Sequence, residues 1–367
     1  LKHLLLLGGG HSHIEVLRRF AGGNPGTALT LVSPDPHAVY SGMLPGAVAG
    51  TYAAADCRID LAPLARSAGA RLRSAAAIAI DPQRRCVTLD QGDVLPYDLL
   101  SLDVGSQPAH SGIDGVSAHA LPLRPAGRLL DAVGQLVARA RDGALARVAV
   151  VGGGAAGVEI AFALRQRLRS AGARVPGVAL ISDAPVLLAA HAPRAQALAA
   201  RLARAHDITL YLGDRVTRVT ASAVDTTRGA IDADAVVWAT GAAAPAWLAG
   251  SGLARDAAGF IAVDAHLQSL SHAGVFAAGD CASLLHHALP KSGVYAVREG
   301  PLLADNLRRQ LHGLPLRPFR PQKRALALLA TGDGRAMAVW GPLAWEGAWV
   351  WRWKDRIDRR FIARYRR

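Results

Sequence analysis

The sequence predicts an α/β protein with two parallel sheets and a smaller C-terminal region. Two observations carry that prediction: a strand, glycine-rich turn and helix near residue 3 recurs near residue 147, and a similar series of short β-like segments follows each copy. Composition agrees. The chain has 367 residues, 51% hydrophobic and 19% charged, enough for more than one packed core. No apolar run approaches the roughly 20 residues of a membrane-spanning helix. The opening "LLLL" runs into glycines and not into a cleavage site, so a cytoplasmic protein is expected.

The first copy, "HLLLLGGGHSH", places Gly8 and Gly10 where a G-x-G-x-x-G loop needs a tight turn and close backbone approach to a pyrophosphate. His13 stands at the third position, which normally lets the next helix, here expected from about residue 12 to 20, pack tightly on the strand. The second copy, "RVAVVGGGAAGVEIAFALRQRL", is complete, with Gly152, Gly154 and Gly157 between a β-branched strand and an apolar-periodic helix. That order aims helix N-terminal amides at a phosphate. Downstream, "ALTLVS", "AIAID", "RCVTLD" and "YDLLSLDVGSQP" follow the first loop; "VALISD", "VTRVTAS", "GAIDA" and "DAVVWATGAAAP" follow the second. Gly8 to Gly105 spans 97 positions and Gly152 to Gly241 spans 89. A third element, "AGVFAAGDCASL", sets Asp280 at the end of an apolar strand, where a carboxylate can accept ribityl or ribose hydroxyls; the alternative is a cap on a helix starting at Ala282.

Charge excludes one class of function. Of the net +14, the last sixteen residues supply +6, and the remaining arginines are scattered through alanine-rich segments instead of forming a nucleic-acid groove. Cys57, Cys86 and Cys281 form no close pair, so a reduced compartment and no disulfide redox centre are expected. Cys57, between Asp56 and Arg58, reads either as a reactive thiol or as a small buried hydrophobe. His11, His13 and His37 lack the carboxylate or thiolate company of a metal site, and no metal is expected.

Over nearly its whole length the chain resembles the pyridine nucleotide-disulfide oxidoreductases, in particular type II NADH dehydrogenase-like and sulfide:quinone oxidoreductase-like proteins. "LLGGGHSHIEVLRRF", "YSGMLPGAVAGTY" and "PKSGVYAVREGPLLADNL" resemble more narrowly the segment fused ahead of selenide, water dikinase. The resemblance implies two Rossmann-like domains: FAD-binding over 1–115 and 265–320, NAD(P)H-binding over 116–264, then a C-terminal region over 321–367. It implies FAD contacts at Gly8, Gly10, His11, Ser12, His13, Ser33, Ser41, Gly42, Gly105, Asp280, Gly293 and Val294. Ser33 occupies the place of the acid expected to hold the adenosine ribose, with Asp35 two positions on. Gly152, Gly154, Gly157, Ser182, Thr240 and Gly241 would hold the nicotinamide dinucleotide. Ser182 and Asp183 end the strand with no arginine next to them in sequence to pair a 2′-phosphate, which favours NADH and leaves NADPH open. Glu159 is implied near the nicotinamide, and Lys291 beside the flavin, where it would stabilise charge on the reduced ring.

These readings imply an oxidoreductase passing electrons from NAD(P)H through FAD to a small acceptor such as a quinone or chalcogen species. The alternatives are a sulfide- or selenide-oxidising flavoprotein working through Cys57, and a non-catalytic flavin-bound partner of selenide, water dikinase. At the C-terminus Trp349, Trp353, Ile357, Phe361 and Tyr365 recur every fourth residue among arginines. That stripe reads either as a helix lying on an anionic membrane or as one packed over short strands expected at 325–347 or on a second subunit.

Overall fold

The computed structural model describes every residue of the chain except 24–25, 110–111, 172–174, 286, 323–324 and 367. Leu4 to Leu7 are fully buried, as a run without polar alternation must be when a strand is covered on both faces. Their strand, Lys2–Leu7, lies at the centre of a five-stranded parallel sheet ordered Val275–Ala277, Leu99–Leu102, Lys2–Leu7, Thr27–Val32, Ala70–Arg73. The second sheet repeats this plan: Ala120–Pro122, Ala235–Trp238, Arg147–Val151, Gly177–Ser182, Ile208–Leu212, again all parallel. In both, the chain leaves the glycine-loop strand to one side and later returns on the other. That reversal leaves a crevice beyond the carboxyl ends of the strands.

Each sheet carries an antiparallel three-stranded ribbon, Ala77–Asp81, Cys86–Leu89 and Val94–Pro96 on the first, Val216–Val219, Ala223–Thr226 and Gly229–Asp232 on the second. Gln107–Pro108 and Ala242–Ala243 pair antiparallel where the chain passes between the two modules. The segment after Gly279 removes the alternative reading of Asp280: Gly279–Cys281 is a single 3-10 turn, and Ala282–Leu284 is a strand paired with Ile261–Val263, so Asp280 caps no helix starting at Ala282.

Residues Ala327–Ala330, Ala336–Trp340 and Leu343–Gly347 form an antiparallel sheet, covered by the helix Ala348–Tyr365. The every-fourth-residue stripe is only half right. Four residues advance a helix by about 400°, so such a stripe drifts by about 40° per step and turns roughly 160° between Trp349 and Tyr365. The buried face follows the true period: Val350, Lys354, Asp358, Phe361, Ile362 and Tyr365. Trp349, Trp353 and Ile357 are 51%, 41% and 41% exposed, while Phe361 and Tyr365 have rotated into the core.

Candidate active site

His13 is completely buried, and its surroundings explain how a histidine replaces the third glycine. Its Nδ1 lies 2.7 Å from the Gly8 carbonyl and its Nε2 2.8 Å from Ser101 Oγ. A carbonyl only accepts, so Nδ1 carries the proton and Nε2 accepts from the serine. Desolvation, opposed by the Gly8 bond, brings its pKa down to about 4 and keeps the ring neutral.

The two loops can be compared position by position. A Cβ on Gly8 would strike the Asp103 carbonyl, and one on Gly152, at φ 126°, would strike the Ala239 carbonyl. Asp103 is therefore the counterpart of Ala239, as His13 is of Gly157, whose added Cβ would meet the Gly152 carbonyl and the Ala239 side chain. The second module uses a Gly–Ala pair for close helix approach; the first uses His–Asp. Asp103 Oδ2 accepts from the backbone N–H groups of Ser12 (2.7 Å) and His13 (3.1 Å) at the start of the helix His11–Arg19. Burial raises the Asp103 pKa to about 7 despite those two bonds.

Around this loop the structure gathers most of the residues assigned to the first site. Ser12 Oγ donates to the Ala296 carbonyl (2.8 Å), tying the loop to the helix Gly293–Leu311. At Gly293 a Cβ would come within 2.5 Å of Ser41 Oγ and 3.9 Å of His11 Cε1, so three segments converge where that helix begins. His11 Nε2 is buried there without a partner; desolvation, opposed by nearby Asp280, brings the ring's pKa down to about 4. An orphaned buried nitrogen beside a glycine-rich loop is what a bound polar ring system would satisfy, so these residues fit a flavin nucleotide. Val294 is exposed at the same helix start, and Ser33 Oγ is committed to the Asp35 carbonyl (2.7 Å).

Asp280 accepts from Ser106 Oγ (3.2 Å), beside Gly105 at φ 71°, and lies 3.4 Å from the Arg124 guanidinium. Arg124 also donates to Ser106 Oγ (2.8 Å) and the Lys291 carbonyl (3.3 Å). The Lys291 ammonium rests 4.1 Å from the centre of the Phe260 ring and donates to the Ala282 carbonyl, and desolvation lowers its pKa. It borders a cavity of about 240 Å³ shared with Asp280 and Glu299. Glu299 Oε2 accepts from the Gly279 N–H (2.6 Å), and burial lifts its pKa to about 8.

In the second module Gly153 packs on Ser182, whose Oγ accepts from the Ala184 N–H (3.2 Å). Gly154 caps the helix Ala155–Arg169. Thr240 Oγ1 and Trp238 Nε1 both donate to the Ala109 carbonyl, and the Ala109 N–H donates to the Gly241 carbonyl (2.7 Å). Glu159 Oε1 accepts from the Ala330 N–H (2.7 Å), which joins the module to the C-terminal sheet. Desolvation raises the Glu159 pKa to about 7, against the pull of Lys354.

Lys354 belongs to a polar group that sequence reasoning missed. Its Nζ is 2.7 Å from Asp358 Oδ2, both side chains are buried, and it also donates to the Gly42 carbonyl. Tyr40 Oη donates to Asp358 Oδ1 (3.1 Å), and the Tyr40 ring stacks on Phe361 4.1 Å away. The only advance signal was their i, i+4 spacing on a helix read for its tryptophans. Asp103, Glu299 and Arg124 were missed because nothing in their local sequence marks them as facing the loops.

Cys57 resolves as the hydrophobe. It is fully buried, its Sγ is 3.6 Å from the Met43 carbonyl, and desolvation followed by Asp56 raises its pKa to about 12. No thiolate is available there near neutral pH. Cys281 is likewise buried and raised to about 12 by burial.

Three comparisons bear on this architecture. A Mycobacterium tuberculosis NADH dehydrogenase-like protein is 30% identical over 235 residues, covering 62% of this chain and 59% of that relative, so the chain matches somewhat over half of its length. NDH2 from Plasmodium falciparum, solved with NADH, superposes with a TM-score of 0.84 at 14% identity, over 99% of this chain and 97% of that one. The sulfide:quinone oxidoreductase of Aquifex aeolicus gives 0.83 at 19% identity, over 100% and 92%. Both structures share the fold of two parallel-sheet modules described above. The family model described as pyridine nucleotide-disulphide oxidoreductase matches residues 2–300, and the chain belongs to that family.

Proposed function

We propose that this chain is an FAD-dependent oxidoreductase that takes electrons from a nicotinamide dinucleotide on the second module and passes them to a small acceptor, with a quinone the first class to test. The observation that carries the reading is the convergence of the first loop, Ser41 and the start of the helix Gly293–Leu311 around the unpartnered Nε2 of His11. FAD bound there would supply hydride acceptance and onward electron transfer. The chain's own part is positioning and protons. His11, held neutral, offers one hydrogen bond without adding charge. Gly152 and Gly154 would admit the dinucleotide pyrophosphate, Gly157 lets the helix approach the loop closely enough for that, and Thr240 and Gly241 would shape the far wall of the same crevice.

Reducing a quinone by two electrons takes up two protons, one more than the hydride donor brings. Glu159 is suited to hold that proton on Oε2, since Oε1 is bound to the Ala330 N–H and its pKa of about 7 lets it load and release near neutrality. The NADH held by the Plasmodium neighbour and the quinone named for the Aquifex one support the two substrate classes. Anaerobic addition of NADH or NADPH to the purified protein is expected to bleach the flavin band near roughly 450 nm, a property of the cofactor. Later addition of a soluble quinone should restore it. A yellow protein that neither nucleotide bleaches would refute the reading and turn attention to sulfide, selenide or a kinase partner as donor.

The exposed face of the C-terminal helix supports a peripheral membrane contact as part of the same reading. Trp349 and Trp353 stack with ring centres 6.4 Å apart, and Arg352, Arg356 and Arg360 are also exposed. Among the described residues no helix is long and apolar enough to cross a membrane. Co-sedimentation with vesicles containing anionic lipid is expected, and Trp349→Ser with Trp353→Ser should reduce it at least tenfold, about 1.4 kcal/mol. Equal sedimentation of both proteins would remove the membrane contact and leave electron transfer untouched.

A further inference from the structure

The strand Gly177–Ser182 ends on a serine where an acid would accept a ribose 2′-hydroxyl, the exposed Asp183 follows it, and no arginine stands next to them in sequence. In space an arginine is close. Ser182 pairs in register with Leu212 on the neighbouring strand, and Arg228, on the turn between Ala223–Thr226 and Gly229–Asp232, donates from Nη1 to the Leu212 carbonyl (3.2 Å). The guanidinium is thus anchored at the carboxyl edge of the sheet, one strand away from Ser182, where adjacent strands lie about 4.8 Å apart.

Gly213 makes room for it. A Cβ there would sit 3.3 Å from Arg228 Nη2 and 3.9 Å from Pro185 Cα, so the guanidinium borders the loop Ser182–Pro185. That loop is held in place by two backbone bonds, Gly213 N–H to the Ala184 carbonyl and Asp214 N–H to the Ser182 carbonyl, both 2.9 Å. Arg228 also lines a cavity of about 550 Å³ with Arg204, Tyr211 and Asp214. Asp214, a buried acid lining the same cavity, accepts from Thr226 Oγ1 (2.8 Å) and Thr227 Oγ1 (3.0 Å), and among the described residues it makes no ion pair with Arg228. A guanidinium anchored one strand from Ser182, with no ion pair among the described residues, is matched to a phosphate.

We propose that Arg228 reads the 2′-phosphate of NADPH, making NADPH at least as good a reductant as NADH for this protein. The inference rests on the second module binding a nicotinamide dinucleotide. Two measurements test it on the flavin-loaded protein and on Arg228→Ala and Arg228→Lys, with flavin content reporting the fold. The first is binding of 2′,5′-ADP against 5′-AMP by calorimetry. The second is the ratio of anaerobic flavin reduction rates with NADPH and NADH at subsaturating nucleotide.

The wild type should bind 2′,5′-ADP at least tenfold more tightly than 5′-AMP. Arg228→Ala should lower both that preference and the NADPH/NADH ratio by about tenfold or more, the scale of a charge-assisted hydrogen bond. Arg228→Lys, which keeps the charge and loses the planar fork, should fall between. An unchanged ratio in Arg228→Ala, with NADH the better reductant throughout, would overturn the inference and give the ribose to the exposed Asp183, while the oxidoreductase reading would stand. Failure of the wild type to bind either nucleotide or to be reduced by either would instead overturn both.

Discussion

Lys354→Met is expected to destabilise the protein by about 3–5 kcal/mol, because it leaves Asp358 buried without its cation. The pair is closed on every side. Lys354 also donates to the Gly42 carbonyl, Asp358 also accepts from Tyr40, and the helix is held further by Tyr52 Oη on Asp355 (2.6 Å) and Tyr365 Oη on Glu15 (2.8 Å). Taking out one charge strands the other in a medium that cannot hydrate it. Taking out both, in Lys354→Met with Asp358→Leu, should restore most of the loss, since similarly sized apolar side chains often replace a buried pair at little cost. Urea unfolding followed by tryptophan fluorescence reads this directly, because Trp349, Trp351 and Trp353 lie on the same helix and Trp351 stacks on Tyr52. A double variant as unstable as the single one would show that packing, and not the ion pair, holds the helix. Turnover provides a second readout. Lys354 lowers the Glu159 pKa more than Asp358 raises it, so removing both should still move the alkaline limb of the pH–rate profile upward, by less than loss of Lys354 alone, even where stability recovers.

The two glycine loops were legible because backbone sterics allow few residues at their turns: Gly8 has φ 92° and Gly152 has φ 126°, and a side chain at either meets carbonyl oxygen. The strands behind them were legible as unbroken apolar runs. Asp280 was legible as a carboxylate past the end of an apolar strand, and the alternative of a helix cap fails because Ala282–Leu284 is a strand. What could not be read is the chemistry that pairs distant segments. Asp103 sits within "LDVG" with nothing to mark it, and only its position opposite the Ser12 and His13 amides gives it meaning. Arg228 lies far along the chain from Ser182 and becomes its neighbour only through the register of two strands and a three-stranded ribbon. The C-terminal helix shows the limit of a simple period. The every-fourth reading matched five apolar residues, yet helical geometry places Lys354 and Asp358 inside and two tryptophans outside.

Stability should fall as pH rises from about 6.5 to 8, and Asp103→Asn should flatten that fall. Burial lifts Asp103 to about 7, Glu299 to about 8 and Glu159 to about 7, so the folded chain retains protons that the unfolded chain has already released. Stability is then lost as pH climbs through the folded values, at up to about 1.4 kcal/mol per pH unit for each group. His11 and His13 act in the opposite sense lower down: held neutral until about 4, they cost stability as pH falls below 6.5, and so oppose the carboxyl groups only on the acid side. Above 6.5 the carboxyl groups act unopposed. FAD should sharpen the effect at one residue, because its pyrophosphate would bring negative charge to the amides that Asp103 already occupies. FAD affinity measured by flavin fluorescence should therefore weaken between pH 6.5 and 8.5 by up to about tenfold per unit, the change that loss of one linked proton produces. Asp103→Asn keeps an oxygen for the Ser12 and His13 N–H groups and removes the charge, so its affinity should stay nearly level. If wild type and variant instead bind FAD with the same pH dependence, the carboxyl group turns away when the cofactor enters, and the His–Asp pair would serve only to pack the loop.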